Sequence, residues 1–120
     1  MYVLITGSRS WDNIELIAEV MQKFPKDTVI IHGDAIGADT IAGVVAKELG
    51  FEVIPCPPTE EEIKMFGPSG APLARNRRMV YMNPNLCIAF KDVRSQTNGT
   101  DYTIEFAKSF GIRTLTVSNT

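Results

Sequence analysis

The sequence predicts an α/β domain of the Rossmann-like, doubly wound kind: about five parallel strands in the order 3-2-1-4-5, with helices on both faces. Three observations carry this. Short β-branched runs alternate with stretches of helical periodicity, the strand runs end in polar turns that carry glycine, and no repeat, low-complexity tract or long linker divides residues 1–120 into two domains. Right-handed crossovers applied to a β-α-β-α-β-α-β-α-β order put the switch point between strands 1 and 4, and sheets of this kind take ligands at the carboxyl ends of their strands.

The strands are expected at Tyr2–Thr6, Thr28–Ile31, Phe51–Ile54, Leu86–Phe90 and Ile112–Val117. Their nearly continuous apolar character suits parallel strands covered on both faces. Between them, Ile14, Ile17, Met21 and Phe24 recur at helical spacing, as do Ala38, Ile41, Ala42, Val45 and Leu49, and later Ile104, Ala107 and Phe110. Each set predicts one buried helix face. Asp12 with Glu15 has capping-box spacing, and Gly50 and Gly111 stand where glycine ends helices. The third connection differs, because residues 55–72 hold five of the seven prolines together with Gly67 and Gly70. Thr59 and Glu62 predict a short helix through Ile63 to Phe66 inside it. Two readings stand for this segment, a lid over the ligand edge or a surface insertion without fixed structure.

With 44% hydrophobic and 22% charged residues, 120 residues suffice for one core. No apolar stretch approaches the roughly 18 residues of a membrane span, and the first residues lack the pattern of a signal peptide. A cytoplasmic location is expected. Cys56 and Cys87 are too few for a disulfide framework and, with His32 as the single histidine, too few for a closed zinc site; both read as small core residues. The net charge of −2 disfavours nucleic acid as a partner. Residues 1–60 hold four basic and nine acidic side chains and residues 61–120 hold eight and five, so an anion site is expected to draw on the second half.

Three turns could carry chemistry: Gly7-Ser8-Arg9-Ser10, Gly33-Asp34-Ala35-Ile36-Gly37-Ala38-Asp39 and Thr97-Asn98-Gly99-Thr100. Each opens a helix whose first N–H groups are free donors at a positive dipole end, and glycine lets the backbone approach a phosphate. The first and third flank the expected crevice. Neither G-x-G-x-x-G nor G-x-x-x-x-G-K-[ST] occurs, which disfavours ordinary NAD and ATP enzymes; no cofactor is expected. Asp34 and Asp39 would repel phosphate but can accept hydrogen bonds from ribose hydroxyls or base amines; Asp39 can equally be a helix-start residue, and a magnesium site on the pair lacks further ligands.

In the helix expected from about Pro72 to Met82, Asn76 falls in the core-facing arc, Arg75 and Arg77 flank it, and Arg78 points away. Asn76 needs a partner in a loop backbone or a ligand. Arg75 and Arg77 can offer planar forks to a phosphate, whereas Arg78 reads as solvated. His32 reads as satisfying a loop hydrogen bond rather than as catalytic. Trp11 and Tyr102 can stack on a base, with packing as the commoner use of an aromatic residue beside a helix start.

Gly7-Ser8-Arg9, the run from His32 to Asp39, Arg75-Asn76-Arg77-Arg78-Met79 and Asn98-Gly99-Thr100, in that order and at those strand ends, resemble the SLOG superfamily, the Rossmann-like group that includes DprA and the LOG phosphoribohydrolases. The likeness is to its small YspA-like branch and covers nearly the whole chain. The resemblance implies a nucleotide-type ligand at the carboxyl edge of the sheet, phosphates near the first and last glycine turns, Arg75 near the ribose phosphate, and a homodimer or larger homo-oligomer. LOG enzymes cleave the N-glycosidic bond of nucleoside monophosphates with an arginine and the glutamate of G-G-x-G-T-x-x-E. Here Gln96 and Thr97 replace the first two glycines and Thr103 replaces the glutamate. Threonine cannot supply a carboxylate to an oxocarbenium-like centre. The expectation is therefore a sensor, carrier or sequestering protein for a nucleotide or nucleotide-derived signal, of cyclic or ADP-ribose type among others. The alternative is a nucleotide N-glycosidase in which Asp101 or Glu105 has taken over.

Overall fold

The structure, a computed structural model, describes residues 1–95 and 98–119, with Asn98 described by its backbone alone. The elements run β1 (Tyr2–Gly7), α1 (Ile14–Met21), β2 (Val29–His32), α2 (Ala38–Glu48), β3 (Glu52–Pro55), α3 (Glu60–Tyr81), β4 (Leu86–Lys91), α4 (Asn98–Ser109) and β5 (Arg113–Ser118). All strand pairs are parallel and the order is β3-β2-β1-β4-β5. The strand alternation feeds two cores. Val3, Ile5, Ile30, Ile88 and Phe90 meet Ile17, Met21, Ala42 and Val45 on the α1/α2 face, while Leu4, Ile31 and Cys87 meet Cys56, Met79, Val80, Ala107 and Ile112 on the α3/α4 face. Both cysteines are free and buried, and burial pushes the Cys87 thiol up to about 12. Among the described residues no helix is long and apolar enough to cross a membrane.

Helix ends follow local chemistry. At the ends of α2 and α4, Gly50 and Gly111 donate to Lys47 and Lys108 while Phe51 and Ile112 donate to Ala46 and Ala107, which is the Schellman pattern. Strands β2, β3 and β5 each begin and end one residue later than the apolar runs predicted. Asn13, not Asp12, caps α1, its side chain accepting from Leu16 N at 3.0 Å, so the expected Asp12–Glu15 box does not form. Ile14, the first residue of α1, and Phe110, just past the end of α4, are 57% and 52% exposed rather than buried.

The proline-rich segment is helical, not a structureless insertion. Thr59 and Glu62 form the predicted capping box. Gly67, at φ 74°, breaks α3, and Pro68 then opens its second part in the first-turn position that tolerates a missing N–H. That part starts a turn earlier than the Pro72 start predicted. Arg78, expected to be solvated, binds Glu62 at 3.1 Å and the Pro57 carbonyl at 2.9 Å, tying the two parts of α3 together.

Candidate functional site

β1 leads to α1 on one face of the sheet and β4 leads to α4 on the other, so the chain parts above their carboxyl ends. A cleft of about 390 Å³ lies there. It is lined by Thr6–Ser10 after β1, by Ala35 and Asp39 before and in α2, by Pro72, Leu73, Arg75 and Asn76 of α3, and by Ser95, Gly99 and Thr100. The first and last glycine turns thus meet, together with Asp39, Arg75 and Asn76. Thr97 and the side chain of Asn98 lie outside the described residues.

The glycines divide into two kinds. A Cβ on Gly7 would stand 2.5 Å from both Ala38 Cβ and the Phe90 carbonyl, and one on Gly37, whose φ is 90°, would run into the carbonyls of Ser8 and Arg9. A Cβ on Gly33 would sit 2.8 Å from Arg75 Cζ. These three let protein approach protein, which corrects the expectation that they leave room for a ligand. Gly99 has nothing within 4 Å of its would-be Cβ among the described residues and lines the wall of the cleft. Ser8 is also framework: its hydroxyl accepts from Asp92 N at 2.9 Å and its carbonyl accepts from Ala38 N at 3.2 Å.

Arg75 is buried, and most of its guanidinium is occupied. Nε donates to Asn76 Oδ1 at 2.8 Å, and Nη1 donates to the carbonyls of Gly33 and, at 3.4 Å, Cys56. The arginine pins the β2–α2 and β3–α3 connections to α3 and supplies the partner that Asn76 needs. Only Nη2 makes no hydrogen bond among the described residues, so the open fork expected of Arg75 is reduced to one nitrogen. Arg77 does not line the cleft; its guanidinium lies 5.8 Å over the Phe66 ring. The exposed cation at the cleft is Arg9, whose side chain makes no hydrogen bond or ion pair among the described residues. It comes from the acidic half of the chain, against the expectation that the second half would supply the charge.

Asp39 is 6% exposed, and its Oδ2 accepts from Gly33 N at 3.0 Å and from Ala35 N at 3.5 Å. Burial pushes its carboxyl up to about 6, against the pull of Arg75 and of the two main-chain donors. A cation would have to displace those donors, and among the described residues no three His, Cys, Asp or Glu side chains converge on one point. His32 Nδ1 accepts from Asp34 N at 2.9 Å, the loop role expected, and burial holds its pKa below the usual value. Trp11 packs edge-on against Phe90 at 5.3 Å with its indole N–H on the Asn13 carbonyl, and Tyr102 stacks on Phe106 at 6.1 Å. Neither ring lines the cleft.

Asp92 was missed. It follows β4 and gathers Ser10 Oγ at 2.7 Å, Arg94 Nε at 2.9 Å and Asn119 Nδ2 at 2.9 Å, joining the lips of the β1 and β4 turns. The Arg94 and Ser10 hydrogen bonds hold its carboxyl well below the usual carboxylate range. Its place directly after a strand at the ligand edge was the available signal. Thr103 is buried, its hydroxyl donating back to the Gly99 carbonyl at 3.0 Å. Asp101 pairs with Lys91 at 2.8 Å, Glu105 is exposed, and neither lines the cleft.

Comparison with known proteins matches these features to a lineage. Residues 1–62, which hold the first two glycine turns, match the family described as YAcAr, the YspA, cpYpsA-related SLOG family. The Gene 61 protein of Mycobacterium phage D29 is 34% identical over 117 residues, covering 92% of this chain and 90% of that one. DNA processing protein A (DprA) from Streptococcus pneumoniae has the same fold, with a TM-score of 0.79 at 22% identity over 99% of this chain; this chain spans 50% of the DprA chain. The protein belongs to the YspA, cpYpsA-related SLOG family.

Proposed function

We propose that the protein binds a nucleotide or nucleotide-derived signalling molecule in the cleft over β1 and β4, as a sensor, carrier or sequestering protein. One observation carries the reading: the first turn of α4, the β1 turn and two arginines line a single cleft at the switch point of the sheet. The cleft volume is at the low end of the roughly 300–1,000 Å³ of small-molecule sites. A phosphate at the start of α4 would meet the first N–H groups and the positive end of the helix beside the backbone of Gly99. Arg9 would close on it as the mobile charge and Arg75 Nη2 would reach it from the fixed side.

The glycosidase alternative lacks a carboxylate where the resemblance asks for one. Thr103 turns inward, Asp101 and Glu105 do not line the cleft, and Asp39 holds two main-chain N–H groups. Overnight incubation with AMP, GMP, CMP and UMP is expected to release no free base by chromatography; multiple turnovers lost in Asp101→Ala or Glu105→Ala would revive hydrolysis. Calorimetric titration with the same nucleotides, cyclic GMP and ADP-ribose tests binding itself. Absence of heat with all of them at millimolar concentration would end the proposal.

A further inference from the structure

A second pocket of about 270 Å³ opens beside the cleft and shares Arg9, Ala35, Pro72 and Arg75 with it. Its own residues differ in character. Ile36, 78% exposed, and Pro58 add to the flat apolar wall that Pro72 begins, and Asp34 supplies the carboxylate. Asp34 holds the left-handed conformation at φ 57° without being glycine, its N–H is fixed on His32 Nδ1, and its carboxylate makes no hydrogen bond among the described residues. Aspartate tolerates this region, and the bond to His32 fixes the backbone that carries the carboxylate into the pocket lining. The second pocket alone, below about 300 Å³, is small for a whole ligand, and the four shared residues make it a continuation of the main cleft.

We infer that this second pocket takes the base of the nucleotide and that Asp34 makes it a guanine site. The inference rests on the nucleotide reading of the main cleft. A carboxylate is an acceptor only. The guanine edge offers N1–H and the N2 amine side by side, two donors that match its two oxygens in a charge-assisted pair. Adenine and cytosine each place one amine beside a ring nitrogen lone pair, and uracil flanks its N–H with two carbonyls, so each sets an acceptor against the carboxylate. Ile36, Pro58 and Pro72 cover base faces without discriminating among them, which leaves selection to Asp34.

Titration of the parent with GMP, IMP, AMP and ribose 5-phosphate tests this. GMP is expected to bind at least tenfold more tightly than AMP or IMP, which lacks the N2 amine. Asp34→Asn is expected to remove that advantage while leaving ribose 5-phosphate affinity within twofold. Asparagine tolerates positive φ, and Asp34→Gly, at home there, serves as the second variant if the first melts early. Equal binding of GMP and AMP by the parent, or an equal loss of both in Asp34→Asn, as a ribose contact would give, overturns the guanine site and leaves the phosphate cleft standing. Absence of binding by all four compounds overturns the guanine site, and the nucleotide reading falls with it only if cyclic GMP and ADP-ribose fail to bind as well.

Discussion

The β1 and β2 turns and the β4–α4 turn look alike in sequence, each a glycine among small polar residues at a strand end, yet they differ in what glycine is for. At Gly7, Gly33 and Gly37 the missing side chain admits another part of the same protein: Ala38 and the Phe90 carbonyl, the Arg75 guanidinium, and the carbonyls of Ser8 and Arg9. At Gly99 no described atom comes near the missing side chain, and the residue lines the cleft. The same residue type thus builds the fixed wall of the site on one side and an accessible wall on the other. The two arginines divide in the same way, Arg75 buried in framework hydrogen bonds and Arg9 exposed.

The largest effects should come from the fixed wall. Gly37→Ala combines a forbidden backbone region with overlap on two carbonyls, each costing about 1–3 kcal/mol, so urea denaturation should show a loss of several kcal/mol or failure to fold. A parent-like midpoint would mean that the β1 and β2 turns can move apart. Arg75→Ala leaves the Gly33 carbonyl and Asn76 without their buried donor and should lower stability by about 1–3 kcal/mol before any ligand is added. Its melting temperature without ligand is the check; no change would return Arg75 to the role of a dedicated phosphate fork.

The open wall should behave in the opposite sense. Arg9→Ala should stay within about 0.5 kcal/mol of the parent in stability, while nucleotide affinity falls by about 1.5 kcal/mol or more, roughly tenfold. Calorimetry paired with denaturation separates the two; unchanged affinity would remove Arg9 from the site. Gly99→Ala should leave the melting temperature equal or slightly higher, since alanine suits a helix better than glycine, and any effect should fall on binding.

The smallest effect is electrostatic and belongs to the β2–α2 connection. Asp39, with its pKa raised to about 6, holds a proton in the folded state that the unfolded chain has released between about 4 and 6, so its contribution to stability grows as pH falls through 6. His32, with its pKa lowered, resists a proton that the unfolded chain takes up below 6.5, so its contribution shrinks over the same range. The two contributions oppose each other, so Asp39→Asn, which keeps only the His32 effect, should lose more stability than the parent as pH falls from 7 to 5. Parallel pH profiles would mean that Asp39 is ionised normally.

Much of this architecture was legible in the chain. The unbroken apolar run Val3-Leu4-Ile5 pointed to a sheet covered on both faces, the Thr59–Glu62 spacing pointed to a helix start that forms, and Gly50 and Gly111 end their helices where expected. The turns that line the cleft were legible too, because strand ends in a doubly wound sheet must converge at the switch point. What could not be read was the use of each group there. Whether Gly7 faces a ligand or Ala38, and whether Arg75 faces solvent or the Gly33 carbonyl, depends on contacts between residues far apart in sequence. Asp92 escaped for the same reason: its partners Ser10 and Asn119 are 82 and 27 residues away.

The central claim, that phosphate is held between the β1 turn and the start of α4, is tested most directly by amide NMR of the ¹⁵N-labelled protein during titration with GMP. The N–H signals of Arg9, Ser10, Gly99 and Thr100 are expected to shift together and saturably, while those of the Schellman turns at Gly50 and Gly111 stay in place. Shifts confined to other surfaces, or none at millimolar GMP, AMP and ADP-ribose, would contradict it.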